Sequence, residues 1–281
     1  MKYYIRPGKQ SVRKGTGLAV SFCWRFVLRE PREFLLTHGE DEAVPAIVEK
    51  FLELFHRMLQ GEPVAYLLGH KEFFGMDFIV DRRVLIPRPE TEHLVEWVLE
   101  YLQGSDIAQP KILDVGTGSG CIALSIAKNL PAARVTGVDI SSEALDVALL
   151  NAQRHNLASR TEFFVSDLLA AVQHPFDIIV ANLPYIGEKR FSFVSKSAQD
   201  YEPHVALFGG EDGLGLYDRF FQQLASQDWH PRMLVGEFGF LQRDELIRLF
   251  SGSFPGLQIR FLEDYAHIDR MFVVEWPPYV G

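Results

Sequence analysis

The feature that most constrains the fold is a regular alternation, from residue 111 onwards, of short apolar segments with longer segments of helical periodicity. Strands that alternate with helices in this way predict an α/β domain with a parallel, doubly wound sheet. Only residues 263–270 separate the last two predicted strands. That distance is too short for a crossover helix, so the last strand of this seven-stranded, mostly parallel sheet is expected to be antiparallel. The predicted strands are 111–115, 134–138, 161–165, 176–181, 232–237, 258–262 and 271–275, and the predicted helices are 121–130, 142–156, 214–225 and 241–250.

The first third of the chain has a different pattern. Residues 1–16 are rich in lysine and arginine and are predicted to form a basic tail. Helical periodicity over about 22–38, and again from Pro45, predicts a small helical domain over 17–75. Short apolar runs then predict a hairpin and linker over 76–105, and the sheet domain is expected to occupy 106–281.

Charge and cysteine content narrow the class of protein. The net charge of −9 over 281 residues disfavours a protein that mainly neutralises nucleic-acid phosphates, so no stable nucleic-acid partner is expected. Cys23 and Cys121 are far apart, which predicts that the protein is located in the reducing cytoplasm. The nine histidines lack metal-ligand spacing, so no metal site is expected. No segment approaches the roughly 18 apolar residues of a membrane span, so no membrane partner is expected.

A glycine-rich turn follows the first predicted strand, with the sequence Gly116-Thr117-Gly118-Ser119-Gly120. Glycines there allow a tight turn and let a ligand approach the backbone without a Cβ in the way. The spacing is Gly-x-Gly-x-Gly, whereas the dinucleotide fingerprint is Gly-x-Gly-x-x-Gly, and the turn lacks the Lys of a phosphate-binding loop. By itself the turn indicates a ligand of unspecified kind.

Acidic residues end the next two predicted strands. Asp139 is placed to accept hydrogen bonds from both hydroxyls of an adenosine ribose, although it is also a candidate helix cap before Ser141. Asp167 is within reach of an adenine amino group, and Leu168 is expected to lie against the adenine ring. The carboxyl ends of parallel strands face a common crevice, so these side chains should meet the glycine turn there.

The buried strand that ends at Ala181 is followed by Asn182-Leu183-Pro184-Tyr185. Taken alone, these residues also fit a strand that stops at a proline turn. A glycine turn, two acids and Asn-x-Pro-Tyr at the ends of four strands are together much more specific than any one of them.

This combination resembles the class I S-adenosylmethionine-dependent methyltransferases, and Asn182–Tyr185 is similar to the Asn/Asp-Pro-Pro-Tyr/Phe signature of enzymes that methylate planar nitrogens. Over roughly residues 45–276 the chain resembles the peptide chain release factor glutamine methyltransferases. The segments that carry this resemblance are 61–66, 85–92, 114–120, 182–186, 201–207, 212–214 and 236–239.

The resemblance implies S-adenosylmethionine as cofactor, an N-terminal helical domain that binds release factors, and a methyl acceptor in their Gly-Gly-Gln loop. It assigns the cofactor to Gly116–Gly120, Asp139, Leu168 and Asn182, and the glutamine to Asn182–Tyr185. One departure is Leu183, where the family usually has proline.

The chemistry of these residues fits that acceptor. Two oxygens, the Asn182 side-chain oxygen and the main-chain carbonyl of Leu183, are expected to orient the amide nitrogen towards the sulfonium methyl. Leucine supplies that carbonyl as well as proline does, Pro184 favours an extended Leu183, and Tyr185 is expected to stack on the flat amide. Glu237 is a candidate base, although a structural role is favoured.

Three other functions stay open at this point. A ribosomal-protein glutamine methyltransferase is the nearest alternative. A nucleic-acid adenine amino methyltransferase would use the same strand end but would need a basic recognition region. A binding module without catalysis would not require Asn182 and Tyr185.

Overall fold

The computed structural model describes residues 16–30, 32–38, 40–188, 194–264 and 267–277. The predicted basic tail, 1–16, therefore lies outside the described residues except at its last position. The chain forms two compact units: residues 1–69 with 196–201, and residues 70–195 with 202–281. This division differs from the predicted limits at 75/76 and 105/106.

The first unit is helical. Its core is a cluster of buried apolar side chains in which the rings of Trp24 and Phe51 stack with centroids 4.2 Å apart. The single helix predicted over about 22–38 is two helices, because Arg29 has a left-handed backbone (φ 57°) and residue 31 is a proline. The helices of this unit are α1 (Thr16–Leu28), α2 (Arg32–Thr37), α3 (Pro45–Leu59), α4 (Val64–Leu68) and, much later in the chain, α8 (Lys196–Tyr201).

Helix α8 joins this unit through two hydrogen bonds. The Ser197 hydroxyl donates to the Gly61 carbonyl (2.6 Å), and the Tyr201 hydroxyl donates to the Gln60 carbonyl (3.2 Å). Nothing in the local sequence of this short helix indicates that it belongs with the N-terminal helices.

The second unit begins with a β-hairpin, β1 (His70–Phe73) and β2 (Met76–Ile79). The sequence analysis placed the start of the hairpin at position 76, but the hairpin starts at His70. It groups with the sheet domain. The physical reason is that Phe73 and Phe78 are buried in the core of that domain.

The second unit is built on a seven-stranded sheet of β3 (Lys111–Val115), β4 (Arg134–Asp139), β5 (Thr161–Val165), β6 (Ile178–Ala181), β7 (Met233–Glu237), β8 (Ile259–Glu263) and β9 (Asp269–Glu275). The strand order in the sheet is β5-β4-β3-β6-β7-β9-β8. The strands β3 to β7 are parallel, and β9 is antiparallel to both of its neighbours. The predicted fold class, an α/β doubly wound sheet with an antiparallel last strand, is confirmed.

Helices cover both faces of this sheet. Successive residues of β6 alternate between the two buried clusters, with Ile178 and Val180 in one and Ile179 and Ala181 in the other. This explains why the central strands are apolar throughout. The helices are α5 (Glu92–Gln103), α6 (Cys121–Asn129), α7 (Ser142–Arg154), α9 (Gly215–Ala225) and α10 (Arg243–Ser253).

Helix α10 starts later than the sequence predicts, because Leu241 has a left-handed backbone (φ 63°). Within the ranges that the structure describes, no helix is both long and apolar enough to cross a bilayer.

Candidate active site

A cleft lies at the carboxyl ends of β3, β4 and β6, where the glycine turn and the predicted polar residues meet. It is lined by Gly116–Ser119, Asp139, Asp167, Leu168 and Asn182–Pro184, and also by residues of 83–91. Of the residues predicted from sequence, Gly120 and Tyr185 are not among those that line it.

The glycine turn is anchored on the neighbouring strand. The backbone N–H groups of Gly116 and Thr117 both donate to the Val138 carbonyl, at 2.8 and 3.0 Å. Gly118 has a left-handed backbone (φ 54°), and a Cβ there would meet only open space. The turn therefore presents bare backbone to the cleft.

Gly120 has a different role in the same turn. A Cβ on Gly120 would lie 3.2 Å from Ala148 Cβ and from Leu124 Cδ1, so a larger residue would push against α6 and α7. Its N–H donates to the Thr117 carbonyl at 2.8 Å. Gly120 thus keeps the turn tight instead of contacting the cleft.

A fully buried acid, Asp114, stabilises the glycine turn through hydrogen bonds. Asp114 Oδ2 accepts hydrogen bonds from the Thr117 hydroxyl (2.7 Å) and from the Ala123 N–H (3.2 Å). Burial raises the pKa of Asp114 to about 7, because the site offers the charged form too little solvation.

Asp139 lines the cleft with both carboxylate oxygens held by backbone donors. Oδ2 accepts from Gly118 N–H and Oδ1 from Ser141 N–H, each at 2.9 Å. The cap of α7 is Ser141 itself, whose hydroxyl accepts from Ala144 N–H at 3.2 Å. Each oxygen of Asp139 keeps free lone pairs for a ligand's hydroxyls, and burial raises the pKa of this carboxyl.

The end of β5 continues into Asp167 and Leu168. Asp167 is half-exposed and forms an ion pair with Arg219. Leu168 has a left-handed backbone (φ 54°), and its carbonyl accepts from the Ser166 hydroxyl at 2.8 Å. That bond holds the turn that places Leu168 on the cleft wall.

The four residues after β6 separate into two groups. Asn182, Leu183 and Pro184 line the cleft. Tyr185 directs its hydroxyl to Glu237 Oε1 (2.8 Å), and its carbonyl accepts from the Gln242 side-chain amide (2.8 Å). The predicted stacking of the Tyr185 ring on an acceptor amide stays a prediction.

Two buried residues, Thr91 and Glu237, are connected to Asn182 by hydrogen bonds. The sequence analysis named only Glu237, as a candidate base. The Asn182 amide nitrogen donates to the Thr91 hydroxyl (3.2 Å), which donates to Glu237 Oε2 (2.7 Å). Burial raises the pKa of Glu237. The charge on Glu237, together with burial, raises the pKa of Tyr185 well above its ordinary value, so Tyr185 stays a neutral donor. Thr91 belongs to the segment 85–92, which the sequence analysis named only as one that carries the family resemblance.

The extended segment beside the cleft is held by Glu202, which is 6% exposed. Its carboxylate accepts from Ile86 N–H (3.1 Å) and from the Arg88 guanidinium (2.5 Å). The pairing leaves Arg88 half-exposed on the cleft wall.

Sequence reasoning missed Asn151 of α7. Its side-chain oxygen accepts from Ile79 N–H (2.7 Å), and its amide nitrogen donates to the carbonyls of Ile79 (3.0 Å) and Ser119 (2.9 Å). It therefore ties the hairpin to the glycine turn. An asparagine on the apolar face of a predicted helix was the signal that could have identified it.

These residues fit S-adenosylmethionine. Gly118 leaves open space beside the backbone, Asp139 offers acceptors for ribose hydroxyls, and Leu168 offers an apolar surface for adenine. Among the described residues, no group of three or more His, Cys, Asp or Glu side chains is arranged to hold a metal.

Comparison with known proteins agrees with this geometry. Residues 94–198 match the family described as "Methyltransferase small domain", and residues 15–69 match "PrmC N-terminal domain". A crystal structure of the hMettl16 catalytic domain with MAT2A 3′UTR hairpin 6 superposes with a TM-score of 0.59 at 12% identity, covering 86% of this chain and 87% of that one. That likeness concerns the fold alone. Fold, cleft and family matches together define a class I S-adenosylmethionine-dependent methyltransferase.

Two relatives narrow the class. A release factor glutamine methyltransferase of Koribacter versatilis is 46% identical over 214 residues, covering 75% of this chain and 74% of the relative. A release factor glutamine methyltransferase of Streptococcus pneumoniae is 39% identical over 274 residues, covering 96% and 94%. The chain belongs to the release factor glutamine methyltransferase family, which confirms the membership predicted from its motifs.

Proposed function

We propose that this protein methylates the side-chain amide nitrogen of the glutamine in the Gly-Gly-Gln loop of peptide chain release factors. The observation that carries the proposal is that Asn182, Leu183 and Pro184 line the same cleft as the glycine turn and Asp139. A planar nitrogen held by Asn182–Pro184 would lie beside a methyl donor held by the glycine turn and Asp139.

S-adenosylmethionine supplies an electrophilic methyl group when it is bound. The glutamine nitrogen is a weak nucleophile, because its lone pair is delocalised into the carbonyl. Asn182 Oδ1 and the Leu183 carbonyl accept its two hydrogens, orient the nitrogen and stabilise the positive charge that develops on it. Within the described parts of the chain, no donor hydrogen-bonds to either oxygen, so both are available to a substrate.

We assign no general base. The methylated amide cation loses its proton readily to water. Glu237 is 4% exposed and does not line the cleft. It is therefore placed to position other residues and not to take the proton.

We further propose that the N-terminal helical unit recognises the release factor and that the protein acts in the cytoplasm, with no membrane or stable nucleic-acid partner. The support for this is the match of residues 15–69 to the family's N-terminal domain and the net charge of −9.

A label-transfer experiment tests the proposal. The protein is incubated with methyl-labelled S-adenosylmethionine and a purified release factor, beside the same factor with its Gly-Gly-Gln glutamine replaced by alanine. Label on the intact factor alone, located by mass spectrometry on that glutamine, is the expected result. Equal labelling of both factors, or labelling only of a ribosomal protein in a parallel reaction, would contradict it.

A further inference from the structure

The carboxamide of Asn182 is useful in only one of its two orientations. Its oxygen accepts a hydrogen bond, whereas its NH2 group can only donate. An acceptor glutamine presents N–H groups, so the proposed reaction needs the oxygen on the cleft side. Rotation by 180° would place a second donor against the substrate nitrogen.

The hydrogen bonds behind Asn182 select that orientation. The Thr91 hydroxyl has a single proton, which it donates to Glu237 Oε2 at 2.7 Å. Towards Asn182 it can then only accept, and it accepts from Nδ2 at 3.2 Å. The amide nitrogen is thereby committed to Thr91, and Oδ1 is left for the substrate.

Glu237 determines the direction of this chain of hydrogen bonds. Its other oxygen, Oε1, accepts from the Tyr185 hydroxyl at 2.8 Å, so in its ionised form the carboxylate receives two donors and gives none. Thr91 is 2% exposed and Glu237 is 4% exposed, so bulk water does not compete for these bonds.

We propose that Thr91 and Glu237 are positioning residues that hold the Asn182 carboxamide with its oxygen towards the acceptor amide. This proposal rests on the proposed function. Neither residue transfers a proton or a methyl group, and their effect on the reaction passes through Asn182.

The test compares Thr91→Val, which keeps the shape of the side chain without the hydroxyl, with Thr91→Ser, which keeps the hydroxyl. Loss of one hydrogen bond in a chain that ends on a charged group corresponds to a decrease in kcat of about tenfold to a hundredfold for Thr91→Val. Thr91→Ser should stay within about threefold of the wild type, and the affinity for S-adenosylmethionine, measured by calorimetry, should be unchanged in both.

Thr161→Val is the matched control. It also removes a partly buried hydroxyl, which donates to the Leu157 carbonyl at 3.0 Å, but Thr161 lies at the start of β5, at the end of the strand opposite the cleft. Its kcat should equal that of the wild type. A Thr91→Val protein with wild-type kcat, or a Thr91→Ser protein as impaired as Thr91→Val, would overturn the proposal.

A measurement without substrate separates this proposal from the proposed function. The side-chain N–H signals of Asn182, assigned by their loss in Asn182→Ala, should exchange with water about tenfold faster in Thr91→Val than in the wild type or Thr91→Ser. If no release factor is methylated, the proposed function fails, and these exchange rates still decide the orientation. Equal exchange in all three proteins would refute it.

The pH dependence provides a second measurement if Thr91→Val does not fold. Burial raises the pKa of Glu237, while the hydrogen bonds from Thr91 and Tyr185 and the charge of Arg270 in β9 lower it and the charge of Glu90 raises it. A protonated Glu237 can donate to Thr91 and so reverse the chain, and kcat should fall as the pH falls through the pKa of Glu237. Glu237→Gln should lack that acid limb, and an unchanged limb would contradict the assignment.

Discussion

Replacing Asn151 by leucine, which has a similar size, tests whether the hairpin and the glycine turn depend on one buried carboxamide. The substitution removes three hydrogen bonds and leaves Ile79 N–H, the Ile79 carbonyl and the Ser119 carbonyl without a partner. An unpaired buried polar group costs about 1–3 kcal/mol. Burial of the apolar leucine returns about 1–2 kcal/mol of this. Because Ile79 is only partly buried, its two groups regain some hydration, and the three unpaired groups together cost about 3–6 kcal/mol. The net expectation is a loss of about 2–4 kcal/mol in the free energy of unfolding.

Urea unfolding followed by circular dichroism measures this loss, with Asn129→Leu as the control. Asn129 is exposed and makes one side-chain hydrogen bond, to the Ser125 carbonyl at 2.9 Å, so its replacement should cost less than about 0.5 kcal/mol. Because Asn151 also holds Ser119, its loss should weaken binding of S-adenosylmethionine about tenfold. An Asn151→Leu protein as stable as Asn129→Leu would refute this account of the carboxamide.

Four further outcomes are expected. Asn182→Ala should lower kcat by at least about a hundredfold and weaken cofactor binding less than tenfold, as measured by single-turnover kinetics and calorimetry; equal turnover would remove Asn182 from the site. Asp139→Asn should raise the calorimetric Kd for S-adenosylmethionine by about tenfold to a hundredfold, because one ribose hydroxyl loses a charged acceptor. The pKa of Asp114 is raised to about 7, so the folded state binds more protons than the unfolded state between about pH 4 and 7. The free energy of unfolding should therefore fall by up to about 1.4 kcal/mol per pH unit as pH rises through that range, and Asp114→Asn should lack this dependence. Leu183→Pro should keep kcat within about threefold, because the main-chain carbonyl remains, and should lose about 1–2 kcal/mol of stability, because a 2%-exposed leucine side chain is removed.

The sequence predicts those parts of the fold that depend on local pattern. The strand ends that carry Asp139, Leu168 and Asn182 meet at one cleft, because parallel strands place their carboxyl ends at the same edge. Both faces of β6 are buried, as its uninterrupted apolar sequence indicates. The start of α10 was missed, because the left-handed backbone of Leu241 is not favoured by its residue type.

The parts that could not be predicted depend on contacts between distant positions. Thr91 and Glu237 are 146 residues apart, and Asn151 and Ile79 are 72 residues apart. Each of these polar residues is ordinary in its own segment. Only the folded chain shows that the partners are buried together, so the support behind Asn182 was not predicted from the sequence.

The N-terminal unit cannot be removed by a single cut, because the polypeptide returns to it at residues 196–201. A truncated chain that began at His70 would keep α8 but lose Gly61 and Gln60, the acceptors of its two hydrogen bonds. A helix of six residues does not persist unaided in water. Glu202 follows this helix directly. The residues before it would then lose their helical structure, although Glu202 is still needed to accept the hydrogen bond from Arg88. Removal of the N-terminal helical unit by truncation would thus also disturb the segment that carries Glu202, and exchange of this unit between relatives must carry both of its segments, 1–69 and 196–201, together.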